Sequence, residues 1–100
     1  YQADLAYPSS ICDVPGSVTT IRESGGYAGF LAGAKMRSAS EILDQNDLIY
    51  RLHWVVVDAR LKRMAMPDGL EPGVIYERHY ALNWLITYLG QAWDDVSTDT

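Results

Sequence analysis

The most regular pattern of apolar and polar positions runs from Glu41 to Met66, where neither glycine nor proline occurs. Ser38 and Glu41 have the Ser-x-x-Glu spacing of a capping box, which predicts that a helix begins after Ser38. Apolar side chains then recur with helical periodicity, at Ile42, Ile49, Leu52, Val56 and Ala59. The pattern predicts one helix from about Ala39 to about Met64, on the order of 25 residues and about 38 Å long.

A second helical pattern follows the turn residues Pro67, Asp68 and Gly69. Proline is favoured in the first turn of a helix, and Pro72 stands at that position. Two adjacent rows of mainly apolar side chains then form one broad face. One row holds Val74, Arg78, Ala81, Leu85 and Tyr88, with Arg78 as its only charged member, and the other holds Ile75, His79, Leu82, Ile86 and Leu89. Gly90 suits the C′ position, so the pattern predicts a helix from about Pro72 to about Leu89.

The N-terminal third has a weaker pattern. Residues 1–18 are predicted to be irregular because Pro8, Pro15 and Gly16 interrupt them. Thr19 to Glu23 fits either a short helix or a strand, and Tyr27 to Lys35 has the spacing of a short helix.

These elements predict a mainly α fold. The short turn makes the two long helices an antiparallel hairpin, wrapped by the irregular N-terminal third and by an ordered C-terminal tail. One hundred residues, 48% of them hydrophobic and 21% charged, fit a single globular domain, with an N-terminal segment 1–37 and a helical region 38–100. Since a lone hairpin buries little surface, either the N-terminal segment or a second subunit must complete the core.

Charge and composition narrow the classes of partner. A net charge of −5 disfavours nucleic acid and anionic membranes, which require basic surfaces. The longest mostly apolar run, Ala81 to Leu89, is too short to span a bilayer. A single cysteine, Cys12, excludes an internal disulfide and fits a reducing compartment.

Three separated blocks resemble one bacterial family. They are Ala-Ser-Glu-Ile-Leu-Asp at 39–44 with Asp-Leu-Ile-Tyr-Arg-Leu-His-Trp at 47–54, Gly-Val-Ile-Tyr-Glu-Arg-His-Tyr-Ala-Leu-Asn-Trp-Leu at 73–85, and Trp-Asp-Asp-Val-Ser-Thr-Asp-Thr at 93–100. Over roughly Ser38 to Thr100 the chain is similar to the family called domain of unknown function 4272. The resemblance implies a helical, cytoplasmic bacterial protein and supplies no reaction. Since family members usually extend further ahead of this region, it also implies a C-terminal piece or a shortened member.

Two histidines are the strongest candidates for chemistry. His79 and Asn83 are i, i+4 neighbours, so His79 fits a general base or ligand oriented by Asn83, or else a histidine at the edge of the core. His53 lies near Asp58 on the long helix. His53 and His79, on antiparallel helices, either converge on a metal or substrate or pack separately. The spacing is not that of a known zinc motif, so no metal site is predicted.

The C-terminal tail combines one tryptophan with three acids. Asp94, Asp95 and Asp99 offer oxygen ligands for a hard cation, but their spacing is not that of a calcium-binding loop. The structural interpretation is that Trp93 anchors the tail at the core edge, while Asp94 or Asp95 accepts hydrogen bonds from Arg78 or from a helix N-terminus.

The sequence favours a non-enzymatic structural or interaction module that binds a protein partner or a second copy of itself, without a cofactor. An acidic protein can mask a basic partner by charge complementarity, and toxin neutralisation is one form of that role. The alternative is a hydrolase or metal-dependent enzyme that uses His53 and His79 with an acid, namely Asp58, Asp94 or Asp95.

Overall fold

A computed structural model describes residues 5–100, and over these residues the fold is mainly α, without a strand. The four α-helices are α1 (Val14–Glu23), α2 (Gly26–Gly33), α3 (Ala39–Leu61) and α4 (Pro72–Leu85). Three single-turn 3-10 helices lie at Pro67–Gly69, Tyr88–Gly90 and Trp93–Asp95. In this part of the chain, no helix combines the length and apolar character that crossing a membrane requires.

The described chain divides into two compact units. The smaller unit holds residues 5–7 and 11–37 and includes α1 and α2, while the larger holds residues 8–10 and 38–100 and includes α3 and α4. One boundary between the units lies between Arg37 and Ser38, and residues 8–10 belong to the larger unit although the sequence analysis placed them in the segment 1–37. The single domain, and the wrapping of the hairpin by the N-terminal third, stay predictions.

The smaller unit is more helical than its sequence suggested. Helix α1 already begins at Val14, so the prediction that residues 14–18 are irregular is wrong. Asp13 caps this helix by accepting a hydrogen bond from the Gly16 N–H, at 3.0 Å, and Pro15 lies in the first turn. A proline in that turn loses no helical hydrogen bond, so Pro15 marks a helix start rather than a break.

Helix α3 begins as its capping box predicts, because Ser38 Oγ accepts a hydrogen bond from the Glu41 N–H at 3.1 Å. It ends at Leu61, three residues before the predicted end. Arg63 takes a left-handed conformation (φ 55°), and the Met64 N–H bonds back to the Ala59 carbonyl at 2.8 Å. This is a Schellman motif with arginine at the position that glycine usually occupies, which is why the sequence did not reveal it.

Helix α4 begins at Pro72 as predicted and ends at Leu85, earlier than the predicted Leu89. Thr87 takes a left-handed conformation (φ 57°), and its N–H bonds to the Trp84 carbonyl at 3.1 Å. The chain therefore leaves the helix axis before Gly90 and turns back toward α4.

Helices α3 and α4 pack antiparallel, since Asn46 pairs with Asn83 whereas the later His53 pairs with the earlier His79. Their facing rows form the core with Leu70 from the connecting loop: the buried apolar side chains of this cluster are Ile49, Val56, Leu70, Ile75 and Leu82. Fully burying such a side chain contributes about 1.5–3 kcal/mol, so the contact between α3 and α4 stabilises the larger unit.

Candidate functional site

Two histidines form a direct hydrogen bond inside the core of the larger unit. His53 Nδ1 lies 2.8 Å from His79 Nδ1, and the side chains are only 8% and 1% exposed. The two rings therefore contact each other rather than pack separately, and their convergence on a metal or a substrate stays a prediction. We call these two residues the histidine pair.

The helical registers explain why the two rings meet. His53 follows Ile49 by one turn and precedes Val56, so it belongs to the buried row of α3. His79 occupies the equivalent place between Ile75 and Leu82 on α4. Aromatic rings close the pair on both sides: Tyr50 lies edge-on to His79 with centroids 5.7 Å apart, and Tyr76 lies edge-on to His53 at 6.0 Å.

Burial disfavours the protonated, charged form of both histidines. Desolvation and the neighbouring His53 lower the pKa of His79 to about 4, so His79 is neutral at pH 7. Burial and the charge of Arg60 also lower the pKa of His53. One Nδ1 must carry the hydrogen of the shared bond and the other must accept it, so a single proton fixes the tautomers of both rings.

The Nδ1–Nδ1 distance fits a hydrogen bond better than joint coordination of one metal ion. Two imidazole nitrogens at 2.0–2.1 Å from a tetrahedral zinc ion lie about 3.3 Å apart. Across residues 5–100 there is no group of three or more His, Cys, Asp or Glu side chains that could hold a metal ion. The candidate acid Asp58 instead accepts a hydrogen bond from Lys62 Nζ at 2.9 Å.

A cavity of about 500 Å³ lies beside the histidine pair. Its wall comes from α3, from the first turn of α4 and from the C-terminal tail; the polar side chains in it belong to His53, Arg60, Tyr76, Thr98 and Thr100. The volume lies within the range of small-molecule sites in proteins. Of the two histidines, only His53 lines the cavity. Its Nδ1 is engaged in the bond to His79, so Nε2 is the ring nitrogen that this bond does not use.

The predicted role of Asn83 differs from its observed contacts. Asn83 is 5% exposed, and its Oδ1 accepts a hydrogen bond from Asn46 Nδ2 at 2.8 Å. Its Nδ2 donates to the Ser97 carbonyl at 2.9 Å. Asn83 therefore joins α3, α4 and the tail, and the ring partner of His79 is His53. We call this arrangement the Asn83 bridge.

The tail lies against α4 through aromatic rings. Trp93 packs edge-to-face on Tyr80 and on Trp84, with centroids 4.9 and 5.5 Å apart, and the Tyr80 hydroxyl donates to the Trp93 carbonyl. Trp93 stays 49% exposed and Trp84 46% exposed, so Trp93 rests on the surface of α4 rather than in the core edge. We call Tyr80, Trp84 and Trp93 the aromatic surface.

The tail acids lie beside this surface. Asp94 and Asp95 are exposed, and burial together with the charge of Asp94 raises the pKa of the Tyr80 phenol. Asp99 accepts a hydrogen bond from Ser97 Oγ. Arg78 is half-buried, which lowers the pKa of its guanidinium, and its pairing with Asp94 or Asp95 stays a prediction.

Several contributors were not singled out from the sequence. Asn46, Ser97 and Gln91 complete the tail attachment, with Gln91 Oε1 accepting from the Ser97 N–H at 2.8 Å. Arg60 and Tyr76 line the cavity. Arg60 and Tyr76 lie on helix faces next to those of His53 and His79. Other surface residues share that placement, so the sequence alone could not identify Arg60 and Tyr76 as cavity residues.

Comparisons of the chain with curated proteins and with solved structures found no match. A family model, in contrast, matches residues 1–96. The match includes the N-terminal third, which the resemblance seen in residues 38–100 left out. The chain therefore belongs to the family described as Domain of unknown function (DUF4272).

Proposed function

We propose that this protein is a non-enzymatic interaction module of the bacterial cytoplasm, and that its aromatic surface binds a basic segment of a partner protein. The observation that carries the proposal is the placement of two half-exposed indole rings next to two exposed carboxylates, Asp94 and Asp95. Tryptophan rings attract Lys and Arg cations through their π faces, and adjacent carboxylates strengthen that attraction.

The distribution of charge supports a basic partner. Residues 38–100 carry ten acidic and five basic side chains, which account for the whole net charge of −5. The last sixteen residues contain three acids and no Lys or Arg. A field of one sign speeds the approach of an oppositely charged partner and disfavours acidic ones.

A groove next to the aromatic surface offers room for the backbone of such a segment. It has a volume of about 290 Å³ and is lined by Trp84, Leu85, Thr87, Gly90 and Gln91. Trp84 belongs to both the groove and the aromatic surface, so a bound chain could occupy the groove while a cationic side chain reaches the indole rings.

The test is isothermal titration with a tetra-arginine peptide, using a tetra-glutamate peptide as the control ligand. We expect binding of tetra-arginine alone, weakened by salt. The double variant Asp94→Asn/Asp95→Asn should lose about five- to tenfold in affinity, since each charge at an interface rim contributes up to about 1 kcal/mol. Glu23→Gln/Asp44→Asn changes the net charge equally at exposed sites elsewhere and should lose less than about twofold.

Equal losses of affinity in the two double variants would mean that only net charge matters, and the proposed surface would be wrong.

Self-association is the competing form of the interaction hypothesis. Sedimentation equilibrium that gives a dimer, disrupted by Trp93→Ala, would assign the aromatic surface to a second copy of the chain instead.

The second proposal is a hydrolytic activity centred on His53. It is favoured by one observation, namely that His53 lines a cavity while its Nδ1 is held by His79. When His53 Nδ1 carries the hydrogen of the shared bond, Nε2 is unprotonated and would accept a proton from an attacking water. Turnover of p-nitrophenyl acetate or p-nitrophenyl phosphate that is lost in His53→Gln would support it, and buffer-level rates with both substrates would end it.

A further inference from the structure

The cavity beside the histidine pair differs in charge from the unit around it. None of the side chains that line it is acidic, although acids outnumber bases two to one in residues 38–100. Its polar side chains all carry hydrogen-bond donors, and one of them, Arg60, is a permanent cation. Within the described residues, Arg60 forms no ion pair with a carboxylate.

The rest of the wall is apolar. Val56, Val57 and Pro72 lie in it, together with the ring of Tyr76. A ligand that fills this space therefore needs an apolar body as well as a polar head.

The backbone N–H groups at the start of helix α4 do not explain the donor-rich character of the cavity. Pro72 has no N–H, and the Gly73 N–H already donates to Glu71 Oε1 at 3.1 Å. The donors that remain for a ligand are therefore the side chains of the lining residues Arg60, Tyr76, Thr98 and Thr100 and the His53 ring.

The histidine pair can take up a proton when a ligand binds. His79 remains neutral at pH 7, so its Nδ1 is able to accept a hydrogen bond from a protonated His53. In that state the His53 imidazolium donates Nδ1–H to His79 and presents Nε2–H to the cavity. Without a ligand, burial and Arg60 oppose this charge, and both lower the pKa of His53.

We propose that the cavity binds a small organic anion with an apolar body, whose carboxylate or phosphate head contacts Arg60, His53 Nε2–H and the hydroxyls of Tyr76 and Thr98. The apolar body lies on Val56, Val57 and Pro72. Binding is accompanied by uptake of one proton on His53, because the negative head offsets the cost of charging that buried ring. This site is separate from the aromatic surface and does not depend on it.

The groups that face His53 come from α3, α4 and the tail, and only Arg60 opposes its protonation. Arg60 on α3 opposes the imidazolium, and the anion neutralises that opposition. From α4 come His79, which accepts the Nδ1 hydrogen, and Tyr76, whose ring lies edge-on. The tail contributes Thr98 and Thr100 to the cavity wall, and both side chains are neutral.

Isothermal titration tests the proposal with three probes: phenyl phosphate, benzoate and the neutral benzyl alcohol. We expect both anions to bind and benzyl alcohol not to bind. The relative affinity of the two anions tells whether the head is a phosphate or a carboxylate. Benzoate keeps a constant charge near neutral pH, so its affinity should rise by about tenfold from about pH 8 to about pH 6 as His53 takes up the proton.

Two arginine variants provide a matched comparison, because both residues are exposed near the end of α3 and only Arg60 lines the cavity. Arg60→Gln should weaken benzoate binding by about tenfold or more, and Arg63→Gln by less than about twofold. Equal effects of the two substitutions, or equal binding of benzyl alcohol and benzoate, would overturn the proposal.

Nuclear magnetic resonance of the wild-type protein tests the histidine directly, without a substitution in the core. Addition of benzoate should shift the His53 ring signals toward those of imidazolium and leave His79 neutral. If the His53 signals stay at the neutral position while benzoate is bound, the coupled proton uptake is refuted.

Discussion

Replacing Asn83 by alanine should destabilise the larger unit more than any exposed substitution. The side chain is 5% exposed and makes two hydrogen bonds, to Asn46 and to the Ser97 carbonyl. Each bond contributes about 1 kcal/mol, and the polar groups left without a partner add to the cost. Because Asn46 and Ser97 are only half-buried, water replaces part of what is lost. We therefore expect a loss of about 2–3 kcal/mol, or about 10–20 °C in Tm.

Urea denaturation followed by circular dichroism measures this loss, with Gln45→Ala as the matched control. Gln45 lies half-buried on α3, and its side-chain amide has no hydrogen-bond partner within residues 5–100. Removing this side chain should therefore cost less than about 0.5 kcal/mol. Hydrogen exchange should also show faster exchange of the Ser97 amide in Asn83→Ala. If the two variants lose equal stability, the Asn83 bridge does not hold the tail.

Three further predictions concern local structure and pH. Ser38→Ala should cost about 1 kcal/mol in urea denaturation through loss of the cap on the Glu41 N–H, while the adjacent Ser40→Ala should not. Gly29→Ala should reduce helix content by circular dichroism, because a Cβ there would meet the Ser24 carbonyl oxygen, whereas Gly33→Ala has open space. Since the pKa of His79 falls to about 4 in the folded chain, the unfolded chain binds more protons below about pH 6.5. Stability should therefore decrease from about pH 7 to about pH 5, and less so in His79→Gln.

The two long helices could be predicted because their apolar rows, the Ser38 cap and Pro72 all indicate the same elements. Their ends could not, because Arg63 and Thr87 take left-handed conformations that are uncommon for residues other than glycine. The start of α1 was missed because Pro15 and Gly16 fit a turn as well as a first helical turn.

The site was harder to predict for a physical reason. Helical periodicity places His53 and His79 on buried faces but does not give the axial offset between α3 and α4, and that offset brings the two Nδ1 atoms to 2.8 Å. The Asn83 bridge and the aromatic surface depend on the path of the tail after Thr87. That path follows from contacts between residues far apart in the sequence, such as Ser97 with Asn83.

The most direct test of the proposed interaction uses the three tryptophans of the chain as internal reporters. Trp84 and Trp93 belong to the aromatic surface, while Trp54 lies on α3 with a similar exposure of 54%. In nuclear magnetic resonance of the nitrogen-15-labelled protein, titration with tetra-arginine should shift the indole N–H signals of Trp84 and Trp93 together. The indole N–H signal of Trp54 should stay in place. Equal shifts of all three signals, or a shift of Trp54 alone, would contradict the assignment of the aromatic surface as the docking site.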